Sequence, residues 1–314
     1  MNTFGENWAF TSFGESHGAA IGGVLDGVPA GLHIDLNLIR QELDRRAGRK
    51  PEGKETGVSA RAANEPDEVE WLSGVIELTN EGVKELTTLG TPIAFLIRNK
   101  DARPEDYEWL KTTYRIGHAD KVYEQKYGIR DWRGGGRASA RETAGRVVAG
   151  CIAKQELAER GITIQAQLVQ VGHETDPNKF AETIAAYQQE GDSIGGIVEC
   201  RIKGLPVGVG EPIFDKLQAH LAYAVMSINA CKGFEYGTGF AGVKEPGSAI
   251  NAISGGIAGG ISDGTEVVFR CVFKPTASTP KAGVKGRHDA CVAVRAVPVV
   301  EAMTAMTIRN MITC

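Results

Sequence analysis

The sequence RDWRGGGRASARET at residues 130–143 combines three consecutive glycines with four arginines. Glycine lets a backbone approach a ligand closely and adopt positive φ angles without steric strain. Ser139 and Glu142 have the spacing of a capping box, which predicts that a helix begins at this point. The four arginines are Arg130, Arg133, Arg137 and Arg141.

This stretch predicts a site for an anionic ligand. The first turn of a helix carries unpaired N–H groups and a partial positive charge, and both attract anions. Arginine side chains add paired hydrogen bonds to phosphate or carboxylate groups. The alternative interpretation is a flexible loop with a solvated basic face, because a run of glycines alone is a weak signal.

The helix that follows is predicted to span Arg141–Arg160, because apolar residues recur at helical spacing until Gly161 ends it. Other helices are predicted after Asp35 up to Gly48, and at 101–111, 180–189, 215–230 and 299–311, with Pro298 in the first turn of the last one. Strands are predicted at 4–13, 20–28, 69–76, 92–98, 162–171, 194–202 and 265–273. Residues 47–68 are predicted to form a mobile loop, and the polar segment 77–90 has no clear pattern. Helices and strands are mixed without regular alternation, which favours an α+β fold.

Composition limits the class of protein. The chain has 314 residues, 42% hydrophobic and 24% charged, and these values are typical of a globular protein. Its formal net charge of −4 argues against general nucleic-acid binding. The six cysteines lack Cys-x-x-Cys spacing, which indicates reduced thiols. No apolar run has the length of a membrane span, and no signal-peptide pattern is present, so we expect a cytoplasmic protein.

Two histidines lie in glycine-bounded turns and are candidates for proton transfer. His17 lies in the sequence FGESHG and His118 in the sequence GHAD. For each, the alternative is a turn histidine bonded to nearby backbone, and Asp120 either orients the His118 ring or faces water. A third polar segment is RHD at residues 287–289. It follows the run KPTAS at 274–278, whose turn residues and hydroxyl groups are typical of a ligand-binding loop.

Several common site types are not supported. The six histidines show no spacing typical of metal ligands, so no metal site is predicted. The glycine run lacks the Gly-Lys-Ser/Thr ending of a P-loop, and it is not a Gly-x-Gly-x-x-Gly dinucleotide motif. No Gly-x-Ser-x-Gly elbow accompanies a serine nucleophile.

A set of motifs along the chain resembles the chorismate synthase family, in the family's order from residue 2 to about residue 308. The motifs are FGESHG (13–18), GHAD (117–120), RGGGR (133–137), SARET (139–143), MSINA (226–230), GGI (255–257), GGIS (259–262), KPT (274–276), RHD (287–289) and RAVP (295–298). The resemblance implies one catalytic domain over residues 1–314, with a β-α-β sandwich fold of the α+β class. It also implies a homotetramer.

The resemblance further implies a reaction. A lyase of this family eliminates phosphate from 5-enolpyruvylshikimate 3-phosphate in an anti-1,4 manner and releases chorismate, the last step of the shikimate pathway to aromatic amino acids. The family requires reduced FMN, although the reaction has no net redox change. The source of reduced flavin stays open between an NADPH-dependent activity of the chain itself and a separate reductase.

Site residues follow from the resemblance position by position. His17 matches the acid near the leaving phosphate, His118 the group that protonates reduced flavin, and Asp289 the carboxylate that works with flavin N5 in removing the substrate proton. The positions that match flavin contacts are Arg137, Ala138, Ser139, Asn229, Ala230, Gly259, Lys274, Pro275, Thr276, Ala277, Ser278 and Arg287. The expected substrate or anion contacts are Ser16, Arg45, Arg46, Arg133 and Arg141, of which Arg133 and Arg141 rest on the anion argument above.

The chain departs from the family pattern in several places. Ala138 replaces a usual serine, so that one hydroxyl contact is lost and only the backbone N–H could serve there. Ile116, Lys121 and Ala290 also replace usual residues. The loops near 177–180, 248–255 and 280–285 are shorter than expected. These departures motivate an alternative, a non-catalytic homologue that binds flavin or a phosphometabolite.

Overall fold

Two antiparallel sheets enclose a layer of helices in the computed structural model, which describes residues 1–49, 67–80, 83–250, 253–284 and 289–312. The strands are β1 (Thr3–Phe4), β2 (Ala9–Phe13), β3 (Ala20–Asp26), β4 (Ala30–Ile34), β5 (Val69–Ser73), β6 (Val75–Asn80), β7 (Val83–Leu89), β8 (Ile93–Arg98), β9 (Thr163–Val171), β10 (Gly196–Lys203), β11 (Cys231–Tyr236), β12 (Ile257–Ala258), β13 (Ile261–Ser262) and β14 (Val267–Phe273). The α-helices are α1 (Leu36–Ala47), α2 (Asp120–Tyr127), α3 (Thr143–Glu159), α4 (Phe180–Gln189), α5 (Leu217–Met226), α6 (Gly247–Ile250) and α7 (Val292–Met311). A 3₁₀ helix spans Pro104–Lys111.

The layers are two sheets with helices between them. One sheet has the strand order β1-β2-β3-β8-β5 and the other the order β11-β14-β10-β9, while β4-β7-β6 form a smaller sheet. Helix α3 packs against β2 and β3, α7 packs against β9, β10 and β14, and α1 contacts both helices. This arrangement confirms the predicted α+β class and the β-α-β sandwich. Most buried apolar side chains of the described residues form one cluster, and the single domain over residues 1–314 stays a prediction.

Helix α3 is the centre of the sandwich. Its apolar residues are buried on almost every side, including Val148, Ile152 and Leu157, because strands lie on one side and α7 on the other. The helix ends where Gly161 takes a φ of +76° and Ile162 donates its N–H to the carbonyl of Leu157 at 3.0 Å. The helix predicted for this region is confirmed, with its first turn replaced by a 3₁₀ turn at Ala140–Glu142.

The predicted start of the last helix was wrong. Helix α7 begins at Val292 and carries Pro298 in its interior rather than in its first turn. A proline inside a helix removes one backbone hydrogen bond and disfavours the helical conformation of the residue before it. The buried residues before it, Ala293 and Ala296, show that packing against the core outweighs this local preference.

Several elements differ from the sequence-based expectations. The strand predicted at 4–13 is two strands, β1 and β2, separated by a turn in which Gly5 has a φ of +82°. The hairpin of β6 and β7 was missed because the segment 77–90 is rich in polar residues, and α2 and β11 were also missed. Most of the predicted loop at 47–68 lies outside the described residues.

A crowded glycine in α3 gives a test of this packing. A Cβ atom at Gly150 would lie 2.3 Å from both Cα and Cβ of Ala302 in α7, whereas the nearest atom to a Cβ at Gly145 in the same helix is 3.4 Å away. We expect Gly150→Ala to lower the free energy of unfolding by about 1–3 kcal/mol because the helices must move apart. Gly145→Ala should leave it unchanged or raise it by up to about 1 kcal/mol, through helix propensity. Urea denaturation of both variants measures the difference, and equal effects would contradict the close helix contact.

Candidate active site

A cleft of about 450 Å³ opens where several chain segments meet at the start of α3. This volume lies in the range of small-molecule sites. Fourteen of the site residues expected from the sequence line it: His17, Arg46, His118, Ala138, Ser139, Arg141, Asn229, Ala230, Lys274, Pro275, Thr276, Ala277, Ser278 and Asp289. The two histidines and the triple-glycine turn therefore meet within one chain.

The triple-glycine turn packs directly against both imidazole rings. A Cβ atom at Gly134 would lie 2.1 Å from Nδ1 of His17, and one at Gly135 would lie 2.7 Å from Cε1 of His118. Both glycines also have positive φ angles, +60° and +90°. No other residue fits either position without moving a ring, which argues against the alternative of a solvated flexible loop.

The predicted capping box is only half formed. The hydroxyl of Ser139 accepts a hydrogen bond from the N–H of Arg141 at 3.3 Å. The carboxylate of Glu142 does not return the bond to Ser139, because it binds Arg146 at 2.8 Å one turn later. The N–H of Ala138 donates to the carbonyl of Gly135 at 3.0 Å, so it is not available to replace the lost serine hydroxyl, contrary to the expectation above.

His17 is held by three residues. The Oγ atom of Ser16 lies 3.1 Å from Nδ1 of the ring, and Tyr107 packs edge-on with ring centroids 4.8 Å apart. Gly134 covers the same edge of the ring as Ser16. Ser16 is buried behind His17 and acts on the cleft through it, rather than lining the cleft itself.

His118 is paired with a buried carboxylate. Its Nδ1 lies 2.8 Å from Oδ1 of Asp120, so of the two sequence-based interpretations Asp120 orients the ring. Arg115, which sequence reasoning missed, binds both oxygens of Asp120 at 2.8 Å. Burial alone would raise the pKa of Asp120, but the hydrogen bonds from Arg115 and His118 hold this pKa well below its usual range.

A buried cluster of two arginines around one carboxylate forms the cationic wall of the cleft. Arg46 Nη2 lies 2.8 Å from Asp67, and Arg141 binds the other oxygen of Asp67. The side chains of Arg46 and Asp67 are each 3% exposed. Within the described part of the chain, Nε and Nη1 of Arg46 have no hydrogen-bond partner. Such buried donors require an acceptor, and an anionic ligand in the cleft would supply it.

Burial and neighbouring charges shift the pKa values of the groups in this cluster. Burial lowers the pKa of Arg46 to about 10, against the opposing effect of Asp67. Burial alone would raise the pKa of Asp67, but Arg46 and Arg141 together hold it at about 2. Asp67 was not singled out from the sequence, because its pairing joins segments that are far apart in the chain.

Asp289 also has an arginine partner. Arg295 Nη1 donates to Oδ2 of Asp289 at 2.7 Å, and Arg295 Nε donates to the backbone carbonyl of Arg46 at 2.9 Å. Arg295 was quoted from the sequence only as part of a motif. It connects the carboxylate at the start of α7 with the end of α1.

Some expected site residues lie away from the cleft in this chain. Arg45 binds Glu42 and Glu301 instead, because consecutive residues on a helix point about 100° apart. Arg133 binds Asp131 and Arg137 donates to Gly14 and Ser12, which holds both guanidinium groups on the other side of the glycine turn. Gly259 does not line the cleft, and Arg287 lies outside the described residues.

The cleft carries more positive than negative charge among its described residues. Its cations are Arg46, Arg103, Arg115, Arg141, Lys274 and Arg295, and its carboxylates are Asp67, Asp106 and Asp289. Two buried polar atoms on its wall, Asn229 Oδ1 and Thr276 Oγ1, also lack a partner. The charge excess fits an anionic ligand, and the unpaired atoms fit polar groups on it, with a donor opposite the accepting Oδ1 of Asn229.

Comparison with known proteins decides the family. A sequence model described as chorismate synthase matches residues 8–313. The chain belongs to the chorismate synthase family. A chorismate synthase of Phocaeicola vulgatus is 46% identical over 98% of this chain and 96% of its own length. One of Christiangramia forsetii is 45% identical with the same coverage.

A solved structure supports the same assignment. A crystal structure of chorismate synthase matches with a TM-score of 0.74 and 29% identity, over 98% of this chain and 92% of that chain. The matches confirm the predicted family, the fold class and the assignment to a family of lyases, and they give no support to the non-catalytic alternative. The chorismate synthase family is one that depends on reduced flavin, as the sequence motifs implied.

The relatives are longer than this chorismate synthase family member. The alignment with the Phocaeicola vulgatus protein spans 361 positions, more than the 314 residues of the chain, so the relative has additional residues. The sequence-based positions of the shortened loops, near 177–180, 248–255 and 280–285, stay predictions. Among the described residues, no helix is long and apolar enough to cross a membrane.

The contact between Gly134 and His17 can be tested by mutation. We expect Gly134→Ala to lower the free energy of unfolding by about 1–2 kcal/mol for the positive φ and by about 1–3 kcal/mol more for the clash. Gly128→Ala is the control, because Gly128 has a φ of +75° but no atom within 4 Å of its Cβ position. Urea denaturation and the NMR signals of His17 measure the outcome. If both variants lose the same free energy of unfolding and the NMR signals of His17 do not change, the turn does not press on the ring.

The Asp67 cluster predicts a dependence of stability on acid. The pKa of Asp67 is about 2 in the folded chain and about 3.9 when unfolded, so its contribution is present above about pH 5 and is lost as the pH falls towards 2. As the pH falls from about 5 to 2, we expect the free energy of unfolding of the native chain to fall by about 2–3 kcal/mol more than that of the Asp67→Asn variant. At neutral pH the variant should be less stable by about 3–5 kcal/mol, because two buried arginines lose their partner.

Urea midpoints measured across this pH interval check the Asp67 prediction. The control is Asp106→Asn, which removes an exposed carboxylate from the same cleft and should change the free energy of unfolding by less than about 0.5 kcal/mol at neutral pH. Parallel pH curves for native chain and Asp67→Asn would rule out a charged Asp67 as the partner of Arg46 and Arg141.

Proposed function

We propose that this chain converts 5-enolpyruvylshikimate 3-phosphate to chorismate and phosphate by anti-1,4-elimination, the last step of the shikimate pathway, and that it uses reduced FMN. The observation that carries the proposal is one cleft in which two oriented histidines, a buried arginine pair and Asp289 meet. Substrate and flavin together bring two phosphates and two carboxylates. The positive charge excess of the cleft supports ligands of this kind.

The residues of one wall fit the flavin. Ser139, Asn229, Ala230 and the segment Lys274–Ser278 would hold it, and the unpaired Thr276 Oγ1 and Asn229 Oδ1 are suited to its polar ring atoms or its ribityl chain. When bound, reduced FMN supplies electron density to the substrate and recovers it. Ala230 adopts a φ of +67°, which is rare outside glycine and is held by a hydrogen bond from Lys274 to its carbonyl at 3.0 Å.

The opposite side of the cleft is suited to the substrate. Arg46 offers two unpaired donors to an anionic group, and Asp67 keeps both it and Arg141 in place. His17, held by Ser16, would give a proton to the leaving phosphate, since a protonated phosphate leaves more readily. Asp289, held by Arg295, would accept the proton that the substrate loses.

We also propose that the chain forms a cytoplasmic homotetramer. The described cysteines are all free and buried, which is in keeping with a reducing compartment. Large apolar side chains are exposed at Phe214, Phe240 and Val243, with exposed fractions above 80%, and burial of such side chains against a second copy would favour association. Sedimentation velocity of the purified chain measures the assembly.

The reaction is tested by adding reduced FMN and substrate to the chain without oxygen and measuring chorismate and released phosphate. We expect His17→Ala to lower kcat by about 10²- to 10⁴-fold, because it removes the proton donor to the leaving group. The flavin affinity of His17→Ala should stay within about twofold of the native value. The control is His173→Ala, which removes an exposed histidine elsewhere and should leave kcat unchanged. Tight flavin binding by the native chain without any product would contradict the proposed reaction.

A further inference from the structure

The carboxylate behind His118 has each of its hydrogen-bonding positions filled. A carboxylate offers about four acceptor positions, two on each oxygen. Oδ2 of Asp120 accepts from the backbone N–H of Arg115 at 3.1 Å and from Nε of Arg115 at 2.8 Å. Oδ1 accepts from Nη2 of Arg115 at 2.8 Å, and its remaining neighbour is Nδ1 of His118, also at 2.8 Å. The side chain of Asp120 is 2% exposed, so solvent has little access to it.

These contacts determine which ring nitrogen of His118 carries hydrogen. If Nδ1 lacked a proton, its lone pair would face a lone pair of a buried carboxylate at 2.8 Å, which is repulsive. The competing arrangement, in which Arg115 Nη2 donates to Nδ1, has a longer separation of 3.2 Å. Hydrogen bonds to an ionised carboxylate are shorter and stronger than bonds between neutral groups, so the N–H of Nδ1 bonds to Asp120.

The other edge of the ring is also fixed. Gly135 packs against it, and a Cβ at this position would lie 2.7 Å from Cε1 and 3.0 Å from Nε2 of His118. The ring therefore has a carboxylate at Nδ1, while the absence of a side chain at Gly135 leaves space beside Cε1 and Nε2. His118 itself lines the cleft, whereas Asp120 does not.

We propose that Asp120, held by Arg115, fixes the Nδ1–H tautomer of His118 and thereby makes Nε2 the nitrogen that exchanges protons with ligands in the cleft. Asp120 is thus a positioning residue that acts through His118. The tautomer itself follows from the contacts of the chain alone, and only the proton exchange rests on the function proposed above. Arg115 keeps the carboxylate ionised and prevents it from turning away from the ring.

The test is a long-range ¹H–¹⁵N NMR spectrum of the ligand-free full chain with labelled histidine, recorded at alkaline pH where neutral rings dominate. We expect His118 to show protonated Nδ1 and unprotonated Nε2. His220 is an internal contrast, because its Nε2 rather than its Nδ1 lies 3.0 Å from a carboxylate, that of Asp215. A spectrum in which His118 carries its proton on Nε2 would overturn the proposal, whether or not the chain has activity.

Mutation tests whether Asp120 is the cause. In Asp120→Asn we expect His118 to become a mixture of tautomers, while Asp215→Asn should leave His118 unchanged. We also expect kcat of Asp120→Asn to fall by about 10²-fold with KM within about twofold, because substrate binding is not the step affected. Asp120→Glu should recover part of both the tautomer and the rate. If Asp120→Asn keeps the Nδ1–H tautomer, the proposal fails.

The outcomes separate this inference from the proposed function. If the native chain releases no phosphate but shows the Nδ1–H tautomer, the reaction is wrong and the role of Asp120 stands. If the chain is active and His118 carries hydrogen on Nε2, only the role of Asp120 is wrong. Should Asp120→Asn not fold, the spectrum of the native chain still decides the tautomer.

Discussion

The contact of the glycine turn with two imidazole rings is the constraint on which the site depends. Gly134 and Gly135 press on His17 and His118 from one short backbone segment, and a side chain at either position would displace a ring. The turn leads directly into α3, which lies between the two sheets and packs against α7. The positions of both histidines are therefore tied to a largely buried helix, rather than to a mobile surface loop.

Burial of charge explains how the rest of the cleft is arranged. A buried ion is stable only with a partner, and Arg46, Arg115, Arg141 and Arg295 each meet a carboxylate, either nearby in the chain or from a distant segment. Asp67, Asp120 and Asp289 take this role, each paired with arginine. What remains among the described residues is a set of buried donors left without a partner after this pairing, such as Nε and Nη1 of Arg46. The cleft is thus rigid and cationic before any ligand enters it.

The sequence predicted the long elements and the motif positions, but not their partners. Periodicity was sufficient for α3 and β9, while packing determined the start of α7 against the preference of Pro298. The ranges of β6, β7 and β11 were missed because their high content of polar residues and glycine gives no clear strand pattern. The resemblance identified the histidines, and spacing suggested that Asp120 could orient one of them. Neither the resemblance nor the spacing could reveal Asp67, because its partners Arg46 and Arg141 come together only in the folded chain.

Neighbouring arginines in α1 show how one helix serves both scaffold and site. Arg46 points into the cleft, while Arg45 joins Lys154 of α3 and Glu301 of α7 in a charged cluster on another face. Glu301 also accepts the backbone N–H of Ala166 in β9 at 2.8 Å, and although burial would raise its pKa, these partners hold that pKa below its usual range. The cluster links three helices and a sheet, and its member Arg45 directly precedes Arg46 in the chain. The guanidinium of Arg46, which we propose binds the anionic substrate, accordingly lies next to the ion pairs that hold the central layer together.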